Sequence, residues 1–138
     1  MNIIPGHTPP NINKKTLKIY IAAPYSAETE EERRKNTEVV IDAALILFQK
    51  GHFPYVPHLT HWVDKRAKET DISLNWKDYI KWHRPWLETC DAFLYLNSSK
   101  GADLELQMAK DLNKLIFYSV DEIPLAKNNE IVKPIGNR

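Results

Sequence analysis

Four short, nearly unbroken apolar runs punctuate this chain, and they constrain its fold more than any other feature: residues 17–23 (LKIYIAA), 52–56 (HFPYV), 91–96 (DAFLYL) and 115–120 (LIFYSV). A strand that alternates apolar with polar residues faces water on one side, whereas a continuous apolar run is covered on both sides, as in a parallel sheet. Between the runs lie segments of helical character. In residues 28–50, Val39, Val40, Ala43, Ala44, Ile46, Leu47 and Phe48 recur at helical spacing, acids occupy the first turn, and Lys50-Gly51 supplies a stop. Residues 74–89 carry the aromatic stripe Tyr79, Trp82, Trp86, with Pro85 marking a kink or a second helix start, and residues 102–113 bring Leu104, Met108 and Leu112 inward. Residues 63–73 are polar and read as irregular or briefly helical. The expected architecture is an α/β fold, a Rossmann-like or flavodoxin-like three-layer sandwich around a mostly parallel sheet of four to five strands. The 138 residues suit one domain. We place it at residues 17–125, after a flexible lead-in over 1–16 and before a polar tail over 126–138.

Charge narrows the partners. The net charge is +1, and the acids at 30–32 are followed at once by the bases at 33–35, which reads as a solvated, self-pairing helix face. No nucleic-acid polymer and no membrane is therefore expected as a partner, and no apolar stretch reaches the ~20 residues of a membrane helix. The single cysteine, Cys90, adjoins an apolar run and reads as a buried, inert thiol. The first residues lack the apolar centre of a secretory signal, so a cytoplasmic location is expected.

In open α/β sheets, ligands bind outside the carboxyl ends of the strands. That rule selects three loops: Ala23, Tyr25 and Ser26 after the first run, His58, Thr60 and His61 after the second, and Asn97, Ser99 and Gly101 after the third. Ser98 or Ser99 can cap the following helix, whose free N–H groups attract an anion. Glu105 follows within about the first turn, where the helix field favours an ionised carboxylate. Asp103 is close enough in sequence to raise its pKa. An ionised carboxylate can attack an electrophilic carbon or stabilise an oxocarbenium ion. Acids in a first helical turn are also common for dipole reasons alone.

Three segments together resemble the nucleoside 2-deoxyribosyltransferase-like superfamily, which includes nucleoside-monophosphate N-glycosidases. They are Ile19-Tyr20-Ile21-Ala22-Ala23-Pro24-Tyr25, Trp86-Leu87-Glu88-Thr89-Cys90-Asp91, and Ser99-Lys100-Gly101-Ala102-Asp103-Leu104-Glu105. The last is similar to the superfamily's Ser/Asp-x-Gly-x-x-x-Glu signature. The segment over 51–61 is similar to a bacterial branch of no assigned activity. The resemblance implies a nucleotide or nucleoside substrate, a glycosyl-enzyme mechanism with Glu105 as nucleophile, no cofactor, and a homodimer or higher homo-oligomer with the aromatic stripe at its interface. It also implies that Ser99 and Gly101 hold a phosphate or sugar hydroxyl, with Tyr25 over the base or sugar. One position departs: where relatives carry an aspartate before the third strand, this chain has His83, which can donate to a carboxylate or act as an acid near neutral pH.

Two other functions compete. A nucleotide-binding or sensing module would keep the pocket with little turnover. A metal-dependent hydrolase would use His58, His61 and Asp64, spaced i, i+3, i+6; we read these instead as pocket-lining or hydrogen-bonding groups, and expect no metal. Arg33 and Arg34 could reach a phosphate, but the acids before them favour surface pairing.

Overall fold

The structure, a computed structural model, describes residues 4–12 and 15–126. Four strands form one sheet: β1 (Lys18–Ala22), β2 (Phe53–Tyr55), β3 (Ala92–Tyr95) and β4 (Leu115–Phe117). Every pairing is parallel and the order is β2-β1-β3-β4. Among the described residues this is the flavodoxin-like order, with four strands. Helix α1 (Glu30–Gln49) joins β1 to β2. Helices α2 (Thr60–Glu69) and α3 (Trp76–Thr89) lie between β2 and β3, and α4 (Lys100–Asp111) joins β3 to β4.

Alternation along β1 divides the core between two layers. Ile19, Ile21 and Ala23 pack with Val40, Ala43, Ala44 and Leu47 of α1, joined by Leu94 and Phe117. Tyr20 and Ala22 point the other way, to Leu87 of α3 and to Ala102 and Ala109 of α4, with Phe93 between them. Pro54 has no N–H for a ladder, and β2 is an edge strand, where that loss is tolerated.

The helix ends are locally encoded. Thr29 caps α1 by accepting from the Glu32 N–H at 3.1 Å, and Gly51 follows its end at φ 94°, a left-handed conformation suited to glycine. Asn75 and Asp78 close a reciprocal capping box on α3. Helix α3 runs through Pro85 as one element, so the aromatic stripe lies on a single helix. Of the two readings of 63–73, irregular or briefly helical, the helical one holds over its first part, where α2 is regular through Glu69. Its buried residues are His61 and Ala67, so no run of large apolar side chains announces it.

Residues 4–12, expected as a flexible lead-in, lie against the domain. Ile12 is 4% exposed in the α1-side core, and the His7 ring meets Glu122 Oε1 at 2.9 Å. At the other end, Lys50 Nζ donates to the carbonyls of Val120 and Ile123, both at 2.7 Å. Beyond Ala126 the expected tail lies outside the described residues. Among the described residues, no helix is long and apolar enough to cross a membrane. Cys90 is buried, and burial pushes its thiol up to about 11.

Candidate functional site

Between β1 and β3 the chain departs in opposite directions, β1 toward the β2 edge and β3 toward the β4 edge. The divergence opens a crevice at their carboxyl ends. A cavity of about 600 Å³ occupies it. The loop after β1 contributes Ala23, Tyr25 and Ser26, and the segment after β2 contributes His58 and Thr60. Helix α3 adds Tyr79 and His83, and α4 adds Ser99, Gly101 and Glu105.

Glu105 is in the second turn of α4, not the first. It shares a helical stripe with Ala102 and Ala109, both buried against the sheet, so a carboxylate occupies a position that packing would otherwise assign to an apolar side chain. Its partner is the hydroxyl of Tyr20, which donates to Glu105 Oε2. Tyr20 is fully buried, and its ring lies between Tyr55 and Phe93 at 5.4 and 5.7 Å. One side of Glu105 stays open to the cavity while protein encloses the rest. Desolvation therefore raises its pKa to about 7, although the Tyr20 hydrogen bond pulls the other way. The ionised first-turn carboxylate expected from the helix field is overruled by burial. Tyr20 itself is pushed well above the usual phenol range, by burial first and by the Glu105 charge second.

Asp103 does not act on Glu105. It is exposed, accepts from Tyr95 Oη at 2.6 Å and from Ser98 Oγ at 2.8 Å, and is held below its usual range by those bonds.

His83 takes no hydrogen bond from or to Glu105. The Thr60 hydroxyl spends its proton on the Pro57 carbonyl at 2.8 Å, so toward the His83 ring, 3.5 Å away, its oxygen can only accept. His83 therefore carries its proton on Nε2, and its bare Nδ1 accepts from the Tyr55 hydroxyl at 3.3 Å. Burial, with His58 nearby adding to it, lowers its pKa to about 4. A neutral ring so held is not an acid at neutral pH, and the expected donation to a carboxylate is absent.

His58 is a neutral Nε2–H tautomer too, because its Nε2 faces the carbonyls of Ala23 and Pro24 at 2.9 and 3.1 Å. Its Nδ1 is buried without a partner. His61 stands outside the cavity lining, behind Tyr25, whose hydroxyl meets its Nδ1 at 3.1 Å. Asp64 accepts from Tyr79 Oη at 3.0 Å and pairs with Lys68 Nζ at 3.1 Å. The three residues of the metal alternative thus have separate partners, and no metal-binding group of three or more His, Cys, Asp or Glu side chains occurs among the described residues.

Ser99 is the cap of α4: its Oγ accepts from the Ala102 N–H at 3.1 Å, which leaves the hydroxyl proton available to a ligand. Gly101 lines the cavity, but the close approach it permits is also to Trp76, whose Nε1 would lie 3.3 Å from an added Cβ. Asn97 stands outside the lining, its Oδ1 accepting from the Ser98 N–H at 2.8 Å. Arg34 pairs with Glu38 on the surface, as expected. Arg33 instead lines the cavity and donates to the Ala27 carbonyl at 2.7 Å.

Two side chains of the candidate site, Tyr20 and Lys68, were not legible in the sequence. Tyr20 reads there as strand filler, and only its place on the even face of β1 hints that it meets α4. Lys68 lies on a helix that the apolar pattern conceals, whereas Thr60 falls in the loop that the strand-end rule selects. The Glu105 signal, by contrast, is present: an acid between Ala102 and Ala109 on one helical face.

Residues 17–119 match a family described as a domain of unknown function, DUF7768. The chain belongs to that family. No curated protein matches. The DUF7768 span runs from the start of β1 past the end of β4 and contains every cavity residue described above.

Proposed function

We propose that this DUF7768 protein cleaves the N-glycosidic bond of a nucleotide or nucleoside, as a hydrolase or a deoxyribosyltransferase. The observation that carries this reading is the Tyr20–Glu105 pair, a carboxyl group on the buried face of α4 that opens into the switch-point cavity. With Tyr20 holding Oε2, Oε1 of the ionised carboxylate attacks the anomeric carbon, the C–N bond breaks, and its electron pair leaves with the base, which takes a proton from solvent. Water or a second base then attacks the same carbon, gives up its proton to solvent and releases Glu105 as the carboxylate. A group titrating near 7 is substantially ionised at neutral pH, and positive charge developing on the sugar favours that form. The Ser99 hydroxyl and the cations Arg33 and Lys100 suit a sugar hydroxyl or phosphate. The motif resemblance supports the same reading. It extends to a cytoplasmic homodimer or higher oligomer, with the half-exposed rings of Trp82 and Trp86 on α3 as its contact surface.

A specific observation favours the alternative of a binding module with little turnover: His83, at the position where the resembled superfamily carries an aspartate, is neutral and engaged by Tyr55 and Thr60. Chromatography of a panel of ribo- and deoxyribonucleosides and their 5′-monophosphates, with and without a second base, separates the two. Free base from the native protein that vanishes with Glu105→Gln supports the glycosidic reading. Ligand binding with no base released from any member would replace it with the binding module.

A further inference from the structure

The cavity holds a second carboxylate, Asp64, on the wall that α2 and α3 build. Its side chain is 16% exposed, and its partners are few: the Tyr79 hydroxyl on Oδ1 and the solvated ammonium of Lys68 on Oδ2. A carboxylate offers about four lone-pair sites, so each oxygen retains one. Lys68 is 65% exposed, and such an i,i+4 pair yields readily.

Two other side chains of the same lining present acceptors. Tyr79 has spent its proton on Asp64 and presents only lone pairs. His58 Nδ1 is a bare acceptor, buried with no partner in the wall of the same cavity. Tyr25, Trp76 and Tyr79 line the same cavity, so flat aromatic surface is available to a planar ring. A planar ring that turns hydrogen-bond donors toward Asp64 suits this wall of the cavity.

We propose that Asp64, positioned by Tyr79, reads the base of the ligand and selects a ring edge carrying two adjacent N–H donors, the edge that guanine presents. Two parallel N–H groups match a carboxylate bidentately. Adenine and cytosine place a ring acceptor beside the amino group, and uracil flanks its single N–H with carbonyls, so each would turn a lone pair toward the carboxylate. This selection rests on the glycosidic reading of the cavity and names the base on which it acts.

The test is calorimetric titration of the full chain carrying Glu105→Gln, which prevents turnover, with guanosine, inosine, adenosine, cytidine and their 5′-monophosphates. Guanosine or its monophosphate should bind about tenfold or more tighter than the inosine counterpart, which lacks the exocyclic amino group. Adding Asp64→Asn replaces one acceptor with a donor and should transfer the preference to adenosine or cytidine. Adding Tyr79→Phe leaves the carboxylate in place and should weaken binding while keeping the guanine preference. Melting curves check that each variant folds. Equal binding of guanosine and inosine, or an Asp64→Asn protein that loses affinity for all bases alike, overturns the selection and leaves the glycosidic reading standing. Absence of binding by every nucleoside and nucleotide overturns both.

Discussion

Burial sets Glu105 and His83 in opposition, and their effect on stability can be worked from the structure. The Glu105 carboxyl moves from 4.5 to about 7 on folding. That displacement disfavours its ionised form in the fold by about 3 kcal/mol. Between these values the native state holds a proton that the unfolded chain has lost. The Glu105 contribution is therefore fully present below about pH 4.5 and is lost as pH rises to about 7. His83 moves from 6.5 down to about 4. Here the unfolded chain binds the proton, so the contribution is fully present above about pH 6.5 and is lost as pH falls to about 4. In the shared window, about pH 4.5 to 6.5, the two slopes are opposite and nearly cancel. Folding moves a proton from an imidazole to a carboxyl without changing net charge. Glu105→Gln keeps an acceptor for the Tyr20 hydroxyl but removes the titration. Urea unfolding of both proteins at steps from pH 4.5 to 8 isolates the effect, because all other titrations subtract out of the difference. The variant should gain about 3 kcal/mol relative to the native protein across that range, and its own curve should fall toward acid with the His83 slope exposed. A difference that stays constant with pH would show that Glu105 is ionised throughout and would refute the dominance of desolvation.

Other expectations follow from the same geometry. Tyr20→Phe removes the hydrogen bond that lowers the Glu105 pKa, so the carboxyl titration followed by carbon NMR should move above about 7; a midpoint at or below the native one would sink the pairing. With its thiol held up at about 11 by burial, Cys90 should react with a disulfide reagent at pH 8 at least ~100-fold more slowly in the native protein than in urea; equal rates would contradict the buried placement.

The apolar runs at 17–23, 91–96 and 115–120 identify three strands because a segment covered on both faces has no polar period to conceal it. Parallel pairing then follows from the helices between them, and the switch-point rule leads to the loops holding Tyr25, His58 and Ser99. The Ser99 cap and Asn75 box are similarly local, each satisfied within three residues. The sequence by itself therefore determined the layers, the parallel sheet and the end of it where the cavity opens. Only the tertiary structure decided the chemistry there. Tyr20 and Glu105 are 85 residues apart and meet only because β1 and α4 share one face of the sheet. Asp64 and Tyr79 belong to different helices, one of them hidden by its polar composition. Above all, the protonation of Glu105 and His83 depends on desolvation, a property of the enclosing atoms that no local run of residues carries.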